Sequence, residues 1–143
     1  MHLDKKTINF IIYFTIIYTL LSFIFLKTIA TPLINLWEYL IRSIFGDFLN
    51  YEPFIFVPIC SGVISISVYL GIITSSKITL NKNSKIKWIL LSVLLLWLAN
   101  FLRILLVLLV EKISLSVSKI AHILFWFAMG LVILYLILKT LKK

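Results

Sequence analysis

Long apolar runs separated by short polar segments dominate the pattern of this chain. Four runs, Ile8–Leu26, Ile59–Ser75, Trp88–Val110 and Ile120–Leu138, approach the length needed to cross about 30 Å of hydrocarbon at ~1.5 Å per residue. Each predicts a transmembrane helix. The first is longer than the apolar core of a secretory signal and no small-x-small cleavage site follows it, so it is expected to be retained.

Between the first two runs the period changes. Leu33, Leu36, Trp37, Leu40, Ile41 and Ile44 fall on one helical face, with Asn35, Glu38, Arg42 and Ser43 off it. Thr31 suits an N-cap, Pro32 the first helical position and Gly46 the residue past the end. An amphipathic helix over 32–45 is predicted, either lying at the outer interface with Trp37 at headgroup depth or re-entrant and packed on the bundle. The stretch from Asp47 to Pro58, with Phe48, Tyr51, Phe54 and Phe56, then leads back into the membrane. The Lys/Asn/Ser-rich stretch 76–87 reads as a solvated cytoplasmic turn.

Composition agrees with this pattern. With 62% hydrophobic and 13% charged residues and a mean hydropathy of +1.14, the chain is expected to be an all-α integral membrane protein, a single transmembrane domain over residues 1–143. The charge adds orientation. With the N-terminus inside, Lys5, Lys6, Lys77, Lys82, Lys85, Lys87, Lys139, Lys142 and Lys143 are cytoplasmic, while Lys27, Arg42, Lys112 and Lys119 are outside. That asymmetry places both termini in the cytoplasm of a cell membrane. The net charge of +9 is thus topological, and nucleic-acid binding is not expected.

Three side chains stand out against this background: Cys60 in Cys60-Ser61-Gly62, Arg103 inside the third run, and His122 near the start of the fourth. In the predicted topology all three fall toward the outer face. Each has a plain structural reading: a cysteine as a small buried hydrophobe, a histidine at a helix end as an interfacial polar group, an arginine paired with Glu111 or reaching outward. Arg103 weighs most, because a mid-membrane arginine costs about 2.5–3.5 kcal/mol on the insertion scale. Asn100, one turn before it, marks the same face as turned toward protein or a wet cavity. Ser61, Gly62 and Ser65 allow close helix approach and also leave room for a substrate backbone beside the thiol.

A thiol, a guanidinium and an imidazole are the parts of acyl transfer through a thioester. A thiol of ordinary pKa about 8.5 in apolar surroundings is mostly protonated and needs activation. Cys60 would be the nucleophile and His122 the general acid and base. Arg103, too basic to take a proton, would stabilise the thiolate or the oxyanion. Asn100 would orient Arg103 or donate to the oxyanion. One Cys and one well-placed His fall short of a metal site, and no phosphate loop, HExxH or GxSxG is present, so no cofactor is expected.

Cys60-Ser61-Gly62 opening a helix, Asn100 and Arg103 in the next, and His122 downstream resemble the signature of the exosortase/archaeosortase family of membrane-embedded cysteine transpeptidases, of which this would be a short member. The resemblance covers about 58–126. It implies an enzyme that cleaves C-terminal sorting signals, each a short motif, a transmembrane helix and a basic tail, on membrane-anchored precursor proteins. The new C-terminus is joined to an acceptor, thought to be a membrane lipid in archaeal members. The alternative from the residues alone is a noncatalytic accessory or assembly subunit whose Arg103 pairs with a partner's carboxylate.

Overall fold

The computed structural model describes residues 4–46, 58–76 and 82–141, and every element among them is helical. The order is α1 (Lys5–Thr28), α2 (Ala30–Phe45), a 3-10 turn (Pro58–Ser61), α3 (Val63–Ser75), α4 (Lys82–Ile113) and α5 (Leu115–Leu141). The aromatic stretch before Pro58 lies outside the described residues, as do Lys77, Lys142 and Lys143. Three helical stretches, Lys5–Thr28, Ile86–Ile113 and Leu115–Thr140, are long and apolar enough to cross a membrane. The chain is therefore a multi-pass membrane protein. On α1, Ile12, Ile16, Leu20 and Phe23 are exposed, which suits hydrocarbon rather than water as the surrounding solvent.

Helix ends follow caps rather than hydropathy. Asp4 accepts from the Thr7 backbone N–H at 2.8 Å, so α1 begins before the apolar run does. Helix α4 begins at Lys82, inside the segment expected to be a turn, because lysine is a good helix former and no Gly or Pro intervenes. Ser114 alone separates α4 from α5; its Oγ accepts from Val117 N and its own N–H donates to Val110 O. The polar residues 111–119 are thus mostly helix. His122 sits two turns into α5 rather than in its first turn.

The expected Thr31 cap is not used. Ile29 is in the right-handed helical region, its N–H donates to Phe25 O and its carbonyl accepts from Leu33 N, so α2 follows α1 with a one-residue break. Pro32 falls in the first turn of α2, where its missing N–H costs nothing. Gly46 closes α2 with φ 56°, donating to Arg42 O.

Helices α4 and α5 form an antiparallel hairpin. Ser118 Oγ on α5 donates to Val107 O on α4 near the turn, and Lys139 lies over the Trp88 ring at the far end. Helix α3 packs against α1 and α5. Gly71 allows α1 to approach, since a Cβ there would lie 3.2 Å from the Phe14 ring. The buried Tyr69 and Thr140 hydroxyls are 2.8 Å apart and join α3 to α5. Helix α2 turns its apolar face onto the bundle: Ile34, Trp37 and Ile41 share a core with Cys60, Ile104, Val107 and Leu108. Trp37 is fully buried, with its ring 5.7 Å from both Trp97 and Phe101. An indole buries more apolar surface against two aromatics of α4 than it could at the rim.

Candidate active site

The centre of the site is a turn that the sequence makes possible at one glycine. Pro58–Ser61 forms one 3-10 turn, and Gly62 then adopts φ 89° before α3 starts at Val63. That left-handed conformation is open to glycine at little cost and strained for other residues. It is also crowded: a Cβ on Gly62 would lie 2.9 Å from Asn100 Nδ2 and 3.1 Å from Asn100 Cβ. The Asn100 amide uses this closeness to donate to the Cys60 carbonyl at 2.7 Å. The chain reversal that presents the cysteine is thus clamped to α4 by a buried hydrogen bond, and Asn100 is only 1% exposed.

One turn along α4, Arg103 points to the same place. It is 5% exposed and lies within electrostatic reach of the Cys60 thiol. Its Cζ lies 5.4 Å from the centroid of the Trp126 ring on α5, a cation–π contact in a setting where desolvation strengthens it. Its Nε has no hydrogen-bond partner among the described residues. Ser61, fully buried beside the thiol, likewise has an unpartnered hydroxyl. Two donors within the site are therefore unengaged.

His122 takes a different position. It lies half-buried on α5 in a recess of about 120 Å³ with Val107, Ser118 and Lys119, within electrostatic reach of Arg103. Among the described residues it makes no hydrogen bond to Cys60. The fold therefore gathers Cys60, Ser61, Gly62, Asn100 and Arg103 into one direct cluster. His122 lies in its own recess with Val107, Ser118 and Lys119. Asn100 engages the Cys60 backbone; no hydrogen bond joins it to Arg103.

Trp126 was not singled out from the sequence, although its spacing four residues after His122 on one helix would have marked it as a neighbour on the same face. Helix α2 was also missed as part of the site. Its Ile34, Trp37 and Ile41 pack in the same core as Cys60 and roof it with apolar side chains.

Such a cluster can do limited chemistry. Burial disfavours a thiolate and a nearby cation favours it, so the thiol can attack an electrophile only with its proton taken up elsewhere, and unpartnered N–H and O–H donors nearby can receive negative charge. Comparison with family profiles, with characterised proteins and with solved structures found no match.

Proposed function

We propose that the chain is a membrane-embedded cysteine peptidase-transpeptidase of the exosortase/archaeosortase kind, and the observation that carries this is the buried Cys60, clamped to α4 by Asn100, with the buried Arg103 one helical turn further along that helix. A fixed guanidinium beside a lone thiol in an apolar bundle is costly for a purely structural role. It is the arrangement a thiolate nucleophile needs.

In this scheme the Cys60 thiol gives its proton to His122 as its sulfur attacks a peptide carbonyl of the sorting signal. The carbonyl π electrons move onto oxygen. Arg103 and the Ser61 hydroxyl are the donors placed to hold that oxyanion. Collapse breaks the C–N bond, and the leaving amine takes the proton back from His122, leaving a thioester on Cys60. The nucleophile of an acceptor, or water, then gives its proton to His122 as it attacks the thioester; the C–S bond breaks, the new C-terminus is released on the nucleophile, and the proton passes from His122 to the Cys60 sulfur. His122 would have to approach the thiol for this, and catalytic hydrogen bonds are commonly long before substrate binds.

The membrane arrangement that fits has α3 as a fourth, short span of roughly 20 Å, α2 as a re-entrant helix over the thiol, both termini cytoplasmic and the site toward the outer face of the cell membrane. The lysine asymmetry and the burial of Trp37 support it. The functional test is processing of a co-expressed secreted protein that ends in an apolar helix and a basic tail. Wild-type protein should remove that tail, and Cys60→Ser at equal abundance should not. Equal processing by both would leave an accessory role in place of catalysis.

A further inference from the structure

A second recess opens at the other end of the bundle, between the start of α1 and the end of α3. It encloses about 300 Å³ and is lined by Lys6, Asn9, Phe10, Tyr13, Ser75 and Ser76. Its wall thus carries a cation, an amide and three hydroxyls, whereas a larger groove among α1, α2, α3 and α4 is almost wholly apolar.

Lys5 and Lys6 open α1 with no acid in its first turn, which sets two cations against the positive end of the helix dipole. An anion held in the recess offsets the charge of Lys6, which lines it. Other hydroxyls at the end of α3 are spent on carbonyls of that helix. Thr74 Oγ1 donates to the Leu70 and Gly71 oxygens, and Ser76 Oγ donates to Ile72 O. Ser75 differs: it is 6% exposed, and its buried hydroxyl has no hydrogen-bond partner among the described residues. A buried donor left unpaired in a recess points to a missing acceptor. The nearby acid, Asp4, is committed to its cap, and hydrogen bonding to Thr7 holds its carboxyl below the usual carboxylate range.

We propose that this recess binds the phosphate of an anionic membrane phospholipid, with Lys6 supplying charge, Asn9 and Ser75 hydrogen bonds, and Phe10 the apolar contact to the glycerol portion. A basic pocket between transmembrane helices at the lysine-rich end has the chemistry for such a headgroup. The position at the ends of two apolar helices favours a lipid over free phosphate. The bound lipid would tie α1 to α3, and the proposal is independent of any chemistry at Cys60.

The test uses the full chain in nanodiscs of zwitterionic lipid, titrated with phosphatidylglycerol and read by native mass spectrometry as retained lipid. Wild type and Lys5→Gln, whose substitution removes a charge outside the recess, should each retain one phosphatidylglycerol. Lys6→Gln and Ser75→Ala should each weaken retention by about fivefold. Equal weakening by Lys5→Gln and Lys6→Gln would reduce the effect to general surface charge and overturn the site. Equal retention of zwitterionic lipid would overturn it too. Displacement by soluble glycerol phosphate at matching concentration would assign the recess to free phosphate and contradict the lipid.

Discussion

The side-chain amide of Asn100 holds the backbone carbonyl of Cys60 at 2.7 Å, so the residue that carries the thiol is fixed by a helix forty positions away in the chain. This bond makes a prediction for stability. Asn100→Ala leaves a buried carbonyl without its donor, a loss of about 1–3 kcal/mol. Thermal unfolding in detergent should show the drop. Asn100→Gln, whose longer side chain cannot fit the same gap, should not restore it.

Gly62 and Gly130 should respond oppositely to alanine. At Gly62 the left-handed conformation costs roughly 1–2 kcal/mol for any other residue, and the new Cβ would displace the Asn100 amide. Gly130 lies within α5 with nothing within 4 Å of an added Cβ. Gly130→Ala should therefore raise stability by about 0.5–1 kcal/mol, while Gly62→Ala lowers both the melting temperature and the rate of Cys60 alkylation.

Arg103 and Trp126 predict a graded effect on the thiol. Arg103→Leu should slow alkylation of Cys60 by a small neutral reagent at least about tenfold, because a nearby cation favours the ionised sulfur. Trp126→Leu removes a cation–π contact worth about 0.5–2 kcal/mol and should slow it less. Trp126→Phe, which keeps a ring, should recover part of the rate. Alkylation unchanged in Arg103→Leu would separate the arginine from the thiol.

Orientation is checked at two described positions in a Cys60→Ser background. A cysteine at Ser114, between α4 and α5, should react with an impermeant maleimide in sealed cells. A cysteine at Lys5 should react only after permeabilisation. The reverse pattern would place the Cys60 end of the bundle inside.

The helices were legible in the sequence because apolar runs of this length have few other uses, and α1, α4 and α5 follow from them. Their ends were not, since Asp4, Ser114 and the lysines before Trp88 extend helix past the point where hydropathy stops. The amphipathic face of 32–45 was readable from its period, but its depth was not. Whether Trp37 meets lipid headgroups or Trp97 depends on how two helices far apart in sequence pack. The same holds at the site. Cys60, Asn100 and Arg103 could be named from residue type and spacing, yet the donor–acceptor link from Asn100 to the Cys60 backbone and the stacking of Arg103 on Trp126 are tertiary facts. The recess that His122 shares with Val107 and Ser118 is set by the register of the α4–α5 hairpin about Ser114.

The most direct measurement of the central claim is the covalent state of Cys60 during turnover. Membranes containing the protein and a co-expressed precursor with a C-terminal apolar helix and basic tail would be quenched in acid, digested and read by mass spectrometry. An acyl group on Cys60, matching the precursor sequence just before the cleaved tail, labile to hydroxylamine and depleted in Arg103→Leu, is the predicted result. Processed precursor accumulating in a Cys60→Ala strain, with no adduct on the wild-type thiol, would contradict it.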